Sequence, residues 1–492
     1  MIENKMLRGK RENEYGWYQL AGLIGGPVSV TLLFFAVGST SSLAWSVAAI
    51  GLLMAVWWMT EAVPLATTAL LPLVLFPILG ISSFETTATS YAHPLIFLFL
   101  GGFMLARAME RWGLHKRIAF LILGLGGKEP SSIILSLMLT TAFLSMWISN
   151  TAAAMIMLPI GQSIVTTIKD NPGAENKSDL TGFSAALMLG IGYAATIGGM
   201  GTLIGTPPNA LFAGFMADNY GIRIGFAQWM LIGIPLVVIL LPITWYVLTR
   251  FSFNSSLPNY ERQGLFSAEI SNLGQITRGE KFVAILMGLT AAAWIFRPLL
   301  NKLVPGLMLS DAGIAMTAAI LLFVIPVNLS EGRFLLSWDE AIKLRWDVLI
   351  LFGGGLALAA AISSSELDDL LGSAFSEFQK FPAFWLILAV TIFIVYLGEL
   401  ASNTAMAAIF LPIAGASAVS LGESPLLMTL PVALAASLGF MLPVATPPNA
   451  IIFGSGAVTP QQMLRAGALL DVIGIAIVAL FGSTFGLWIL NT

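Results

Sequence analysis

Long apolar runs dominate the hydrophobic pattern of the chain, and polar residues collect in the short segments between them. Runs at 20–37, 230–248 and 469–490 approach or exceed the roughly 20 residues that a helix needs to cross a bilayer. The pattern lacks the alternation over about ten residues that is typical of transmembrane β-strands. It therefore predicts an all-α polytopic membrane protein.

The apolar runs and their interruptions predict eleven transmembrane helices and two re-entrant hairpins. The helices are expected near residues 18–38, 43–60, 63–82, 94–110, 183–220, 226–250, 281–300, 310–328, 346–362, 427–460 and 466–490. The hairpins are expected at 131–168 and 383–420, each with Ser-Asn-Thr at its turn. Thr-Pro-Pro-Asn is expected to break the fifth and tenth helices, because paired prolines remove two backbone donors and disfavour helical geometry at the preceding residue.

Composition then narrows the possible classes of function. Of the 492 residues 57% are hydrophobic and 10% are charged, whereas a soluble domain carries about 25% charged residues. There are no cysteines, which excludes disulfides, thiolate catalysis and cysteine-ligated metals. The net charge is −3 and no basic block indicates a nucleic-acid partner. The first apolar run is longer than a signal-peptide core, so we interpret it as a retained span.

The distribution of lysine and arginine predicts the orientation. With the N-terminus inside and both hairpins in place, the cytoplasmic side holds all of the 23 basic residues except Arg223, Arg297, Lys302 and Lys380. Because cytoplasmic loops are enriched in these residues, we expect a cytoplasmic N-terminus and an external C-terminus.

Two short strings occur twice, in the same order. Ser-Asn-Thr-Ala stands at 149–152 and 402–405, which are 253 residues apart, and Thr-Pro-Pro-Asn-Ala at 206–210 and 446–450, which are 240 apart. A third pair, 101–106 and 354–359, also has the offset of 253. The three ordered matches predict a duplicated unit. Each unit has five spans. Because five is an odd number, the second unit enters the membrane from the opposite face, and we expect an inverted repeat of the kind found in secondary transporters.

The repeated strings carry the candidate chemistry. The helix that starts after each Ser-Asn-Thr would present exposed amides and a positive dipole end, which suits an anion. The carbonyls freed at Gly205 and Ala445 would suit sodium. None of the four strings contains lysine or arginine, so a bound anion would need dipoles and co-bound cations to offset its charge. A single Ser-Asn-Thr in a membrane helix usually forms hydrogen bonds to a neighbouring helix, and a single Pro-Pro usually kinks the helix. The ordered recurrence of both favours a binding site.

Three further segments allow alternative interpretations. Glu399 precedes the second Ser-Asn-Thr by three residues at membrane depth, where acidic residues are candidates for function. It could bind a cation or a proton, or it could orient the hairpin turn. The amphipathic segments 107–125 and 364–381 could be helices in the membrane interface or ordinary loop helices.

The strings "SMWISNTA", "GTPPNA", "ELASNTA" and "MLPVATPPNA" resemble the divalent anion/sodium symporter family, and the resemblance extends from the second span to the C-terminus. It implies sodium-coupled symport of C4 dicarboxylates such as succinate, malate and fumarate, by an elevator-type cycle in a homodimer of the cell membrane. It also implies a cytoplasmic tail (1–17), scaffold spans with an arm helix (18–128), half of a transport domain (129–250), a cytoplasmic loop (251–280), scaffold spans with a second arm helix (281–382) and the other transport half (383–492).

The resemblance also implies residue roles. The first sodium site would use Ser145, Ser149, Asn150 and the backbone of Gly205. The second would use Ala401, Asn403 and the backbone of Ala445. The substrate carboxylates would contact Asn150, Thr151, Thr206, Ser402, Asn403, Thr404, Thr446 and Pro447. Gly398 stands where some relatives have threonine and where the offset of 253 places the counterpart of Ser145, so we expect the second sodium site to be the weaker.

Other functions fit the sequence less well. The same fold could carry citrate or sulfate, or could act as an anion exchanger. An ion channel would be favoured by a continuous polar stripe through one bundle, and the sequence shows only turns and breaks. The chain has two histidines, no cysteine and no His-Glu-x-x-His string, so neither a metalloprotease nor a thiol enzyme is supported, and we predict that the protein is not an enzyme.

Overall fold

The structure is a computed structural model that describes residues 16–37, 42–124, 127, 129–169, 177–253, 273–304, 306, 308–368, 370 and 381–491. Most of the predicted tail (1–17), of the predicted loop (251–280) and of the second amphipathic segment (364–381) lies outside these residues. Within them, ten helices are long and apolar enough to cross a membrane. The prediction of an all-α polytopic membrane protein is therefore confirmed.

The helices of the first half follow the predicted apolar runs. They are α1 (Trp17–Val37), α2 (Leu43–Thr60), α3 (Leu65–Thr68), α4 (Leu71–Ile78), α5 (Phe84–Thr89), α6 (Pro94–Trp112), α7 (Leu114–Gly124), α8 (Pro130–Ser145), α9 (Asn150–Lys169), α10 (Lys177–Gly199), α11 (Pro207–Tyr220) and α12 (Phe226–Tyr246), the last continued by a π-helical turn over Val247–Ser252.

The second half begins with a long helix and contains two short strands. Its elements are α13 (Arg278–Leu303), α14 (Asp311–Val324), β1 (Pro326–Asn328), β2 (Arg333–Phe334), α15 (Trp338–Ala341), α16 (Trp346–Ser364), α17 (Ala383–Gly398), α18 (Asn403–Ser420), α19 (Leu426–Ala435), α20 (Pro447–Gly454), α21 (Pro460–Phe481) and α22 (Leu487–Asn491), with a π-helical turn over Gly482–Gly486. The two strands pair antiparallel.

Two predicted spans differ from the structure. The run at 63–82 is not one helix but the two short helices α3 and α4, and Pro72 lies in the first turn of α4, where a missing amide costs nothing. The run at 310–328 ends as a helix at Val324, because Pro326 cannot continue the helical hydrogen bonds and begins β1 instead. The apolar pattern located both segments but did not resolve these interruptions.

The first amphipathic segment forms a shorter helix than predicted. Gly113 has a positive φ of 75°, which ends α6, and α7 starts at Leu114 rather than at residue 107. The Arg117 guanidinium on α7 donates to Glu280 on α13 over 2.9 Å and to the carbonyl of Leu273 over 3.1 Å. These bonds fix α7 against the start of α13.

The interior is built around α10, which packs against α8, α9, α12 and α20. Glycines allow these close approaches: a Cβ on Gly198 would lie 2.3 Å from the carbonyl oxygen of Ala142 on α8. Small residues permit such backbone contact between membrane helices. The halves also interlock, because α9 packs on α20 and α11 packs on α18. Each helix that follows Ser-Asn-Thr thus contacts the helix that follows Thr-Pro-Pro-Asn in the other half.

Candidate functional site

Only Ser149 of the first Ser-Asn-Thr lies in a turn between two helices, because Asn150 starts α9. We call residues 146–149, between α8 and α9, the first tip. The Ser149 hydroxyl accepts a hydrogen bond from the Ala152 amide over 3.2 Å and so caps α9. The carbonyl of Met146 accepts a bond of 2.6 Å from the Thr202 hydroxyl. This last bond ties the first tip to the non-helical segment that follows α10.

That segment, residues 200–206, is the first break. It begins before Thr-Pro-Pro-Asn, and Pro207 and Pro208 do not interrupt a helix but start α11, where their missing amides cost nothing. The Asn209 amide donates to the carbonyls of Gly199 over 3.1 Å and Thr202 over 2.7 Å. Asn209 therefore braces the break from within α11.

The second half repeats this brace. Its second break covers residues 436–446 between α19 and α20, and the Asn449 amide donates to the carbonyls of Gly439 over 3.0 Å and Leu442 over 3.1 Å. The offset of 240 maps Asn209, Gly199 and Thr202 onto these three residues. The bracing role of the two asparagines was not predicted, although asparagine recurs at the fourth position of both strings.

The first tip and the first break together form a cluster of oxygen atoms. The Ser145 hydroxyl lies 2.7 Å from the Asn150 side-chain oxygen and 2.6 Å from the Ala195 carbonyl oxygen. The same Asn150 oxygen faces the carbonyl oxygens of Ala195 at 3.2 Å and Gly205 at 3.3 Å. Neutral hydroxyl, amide and carbonyl oxygens of this kind are ligands for hard cations.

Two arrangements satisfy this cluster. In one, the Asn150 amide turns over and donates its N–H groups to the Ala195 and Gly205 carbonyls. In the other, a cation lies among the oxygens and the amide keeps its oxygen toward it. Among the described residues no backbone amide donates to the Gly205 carbonyl, so that carbonyl is free for either partner. The donor set fits sodium.

The corresponding region of the second half differs in one side chain. We call residues 399–402, between α17 and α18, the second tip. The side-chain oxygen of Asn403, the counterpart of Asn150, is buried and has no hydrogen-bond partner in the part of the chain that the structure describes. It lacks one because the counterpart of Ser145 is Gly398, which has no hydroxyl to donate. Ala401 is buried, and no described backbone amide donates to the Ala445 carbonyl.

Glu399 binds the second break rather than facing solvent. It is 2% exposed, and its two carboxylate oxygens accept from the amides of Met441 over 2.9 Å and Leu442 over 2.8 Å. The backbone amide of the preceding residue, Phe440, donates to the carboxylate of the fully buried Asp471 over 3.3 Å. Asp471 was missed by the sequence analysis, although an acidic residue inside the apolar run 469–490 was a recognisable signal.

The predicted substrate ligands lie at the starts of four helices. Thr206 and Thr446 are the buried N-cap residues of α11 and α20. The Thr446 hydroxyl accepts from the backbone N–H of Asn449 over 3.3 Å, whereas no capping bond to the Thr206 side chain is present among the described residues. Thr404 is buried, and the remaining predicted ligands are half-buried or exposed: Asn150, Thr151, Ser402, Asn403 and Pro447. Hydroxyls, amides and helix N-termini are the groups that bind carboxylates.

Comparison with known proteins shows similarity along nearly the whole chain. Residues 17–492 match the family described as the sodium:sulfate symporter transmembrane region. The chain is 42% identical over 478 residues to a protein of Staphylococcus saprophyticus named sodium-dependent dicarboxylate transporter SdcS, covering 96% of this chain and 92% of that protein. A protein of the same name from Staphylococcus aureus strain USA300 is 44% identical over 482 residues, with the same coverage.

A solved structure shares the fold. The crystal structure of the YdaH transporter of Alcanivorax borkumensis superimposes with a TM-score of 0.53, covering 82% of this chain and 88% of that one. The sequence identity is 13%, so this likeness concerns the fold alone.

Proposed function

The chain belongs to the sodium:sulfate symporter transmembrane family, and from that premise we propose that it is a sodium-coupled symporter of C4 dicarboxylates such as succinate, malate and fumarate. Family membership confirms the resemblance carried by the Ser-Asn-Thr and Thr-Pro-Pro-Asn strings. The staphylococcal relatives named as sodium-dependent dicarboxylate transporters support the substrate class. The observation that carries the proposal is the set of oxygens from Ser145, Asn150, Ala195 and Gly205 that face one another in the first half.

In this proposal the first sodium ion is bound by Ser145, Ser149, Asn150 and the Gly205 carbonyl. Ser145 donates its proton to the Ala195 carbonyl and directs a lone pair to the ion. Ser149 already accepts one amide, and its second lone pair serves the ion. The second ion is bound by the Asn403 side chain and the carbonyls of Ala401 and Ala445.

The dicarboxylate is bound by the starts of α9, α11, α18 and α20, through the residues predicted from the sequence. The starts of α9 and α18 offer backbone amides, whereas α11 and α20 begin with two prolines and lack their first two amides. All four helix starts carry a partial positive charge. These groups are weaker counter-charges than arginine, so the two sodium ions supply the remaining positive charge. Substrate and sodium therefore stabilise each other's binding, and this mutual dependence couples uptake to the sodium gradient.

Transport is proposed to proceed by an elevator-type movement of the halves 129–250 and 383–492 against the scaffold. The contact surface supports this: α16 of the scaffold packs on α11 and α18 through small residues. A Cβ at Gly355 would lie 3.2 Å from the Cβ of Ala408 on α18. The spacing is just under the 3.5–4.5 Å of disulfides, so it permits a test. In the naturally cysteine-free chain, oxidised Gly355→Cys/Ala408→Cys should stop transport, and reduction should restore it. Each single variant is the control, and undiminished transport in the oxidised pair would refute a moving contact here.

The proposed activity is tested by uptake of radiolabelled succinate into proteoliposomes. We expect uptake with an inward sodium gradient and none with an equal potassium gradient. Unlabelled malate and fumarate should compete, and citrate and sulfate should not. Competition by sulfate alone would assign the protein to sulfate, and equal uptake without sodium would assign it to anion exchange.

The family resemblance also supports a homodimer, multi-pass in the cell membrane. Light scattering of the purified protein, corrected for detergent, should give a mass of two chains. A mass of one chain would refute the dimer and would leave the transport proposal standing.

A further inference from the structure

In both halves a hydrogen bond joins the tip to the break at corresponding positions, but the donor and acceptor groups differ. In the first half the Thr202 hydroxyl on the break donates to the Met146 carbonyl on the tip. The offsets of 253 and 240 map Met146 onto Glu399 and Thr202 onto Leu442. In the second half the Leu442 amide on the break donates to the Glu399 carboxylate on the tip. A side chain of the break makes the first tie, and a side chain of the tip makes the second.

The length of the helix that precedes each break explains why the side chain comes from the break in one half and from the tip in the other. α10 extends to Gly199, and the next amides, of Met200 and Gly201, bond back to the carbonyls of Ile197 and Gly198 over 3.1 and 2.9 Å. α19 ends at Ala435, four residues before the counterpart of Gly199. The amides of residues 440–442 consequently have no helical acceptor, and carboxylates take all three. Buried amides without acceptors would each be costly.

We propose that Glu399 is a positioning residue for sodium binding in the second half: it holds the second tip against the second break and thereby fixes the Asn403 side chain relative to the Ala445 carbonyl. Thr202 does the equivalent work in the first half, where it holds Asn150 relative to Gly205. Glu399 does not itself ligate the ion. This inference rests on the proposed sodium-coupled transport and adds a residue that the proposed ligand sets do not contain.

The geometry favours positioning over ligation. The two Glu399 oxygens accept short bonds from successive amides, at 2.9 and 2.8 Å, and this pair of bonds orients the carboxylate toward the break. Charged acceptors form the stronger class of hydrogen bond, so the tie resists separation of tip and break. The break is held on its other side as well, because the Tyr193 hydroxyl donates to the Phe440 carbonyl over 2.7 Å.

The test compares sodium dependence in matched variants. Glu399→Gln keeps the size of the side chain but turns an N–H group toward one of the two amides. We expect the sodium concentration for half-maximal succinate uptake to rise about tenfold, with maximal uptake recovered at saturating sodium. Thr202→Val removes a hydrogen bond between two neutral groups and should raise the half-maximal sodium concentration about threefold. Thr196→Val is the control, because among the described residues the buried Thr196 hydroxyl bonds only to Gly192 in its own helix. This variant should leave the half-maximal sodium concentration unchanged.

A second variant distinguishes positioning from cation binding between carboxylates. Asp471 lies beside Glu399, and among the described residues no donor reaches its second carboxylate oxygen. Asp471→Asn keeps an oxygen for the Phe440 amide and adds a donor for Glu399, so the sodium dependence should remain as in the wild type. Loss of sodium activation in Asp471→Asn would overturn the proposal, since the two carboxylates would then bind the ion. So would unchanged half-maximal sodium in Glu399→Gln.

Sodium-dependent thermal stabilisation of the purified variants provides a readout that does not need transport. A ligand that binds only the folded state raises the melting temperature with its concentration. Glu399→Gln should show a melting temperature that rises with sodium at higher concentrations than in the wild type. A folded wild-type protein that gains no stability from sodium and takes up no succinate would refute the proposed function itself, and this outcome differs from a failure confined to Glu399.

Discussion

The hydroxyl of Ser145 has no counterpart in the second half, and transferring it tests the difference between the two proposed sodium sites. Ser145 contacts both Asn150 and Ala195, whereas Gly398 leaves the Asn403 oxygen without a partner. A Cβ at Gly398 would meet only the Cγ of Met406, at 4.0 Å. Gly398→Ser therefore fits without displacing a neighbour, and its hydroxyl could reach Asn403 as Ser145 reaches Asn150.

The magnitude follows from the bond that is lost or gained. A hydrogen bond to a charged group contributes about 1.5–3 kcal/mol, and a neutral ligand to a sodium ion that water can partly replace falls at the low end. About 1.4 kcal/mol corresponds to a factor of ten in affinity. We expect Ser145→Ala to raise the half-maximal sodium concentration about tenfold and Gly398→Ser to lower it, by at most about tenfold.

The assay is initial succinate uptake into proteoliposomes over a range of sodium concentrations at fixed ionic strength. Ser136→Ala is the control for Ser145→Ala, because in the described part of the chain the Ser136 hydroxyl bonds only to Ser132 in the same helix. Gly398→Ala is the control for Gly398→Ser, because it adds helix propensity at the end of α17 without a hydroxyl. The reasoning is refuted if Ser145→Ala leaves sodium dependence unchanged, or if Gly398→Ala lowers the requirement as much as serine does.

Three further outcomes are expected. Asn150→Ala and Asn403→Ala should each abolish uptake while the protein remains folded and inserted in the membrane. Near-normal uptake in either variant would show that its Ser-Asn-Thr serves helix packing and not binding. Asn209→Ala and Asn449→Ala each leave two carbonyls without the brace, so each should cost about 1–3 kcal/mol and lower the melting temperature. Asn219→Ala, which loses one bond within its own helix, should lower it less. A cysteine at the exposed position Lys343 should react with an impermeant thiol reagent only from the cytoplasm, and one at the exposed position Lys302 only from outside. Labelling of both cysteines from the same side would refute the predicted topology.

The sequence alone determined the class of the protein, the approximate position of most helices and the family. These are properties that a linear pattern carries directly. A bilayer cannot hydrogen-bond to exposed backbone, so each span must be a long apolar helix, and departures such as Pro207-Pro208 show as polar or proline-rich strings. Because two such strings recur in order, the sequence also located the two tips and the helices that follow the two breaks. The roles of the proposed ligands, including Ser145 and Asn403, remain predictions.

Only the tertiary structure decided what holds those motifs in place. The sequence left open whether Glu399 binds a cation, carries a proton or orients the turn, and its bonds to Met441 and Leu442 favour orientation. Nothing in the linear pattern paired Asp471 with Phe440, or Thr202 with Met146. The reason is that a buried polar group must find its partner through space. Which partner it finds depends on where the neighbouring helix ends, at Gly199 in one half and at Ala435 in the other.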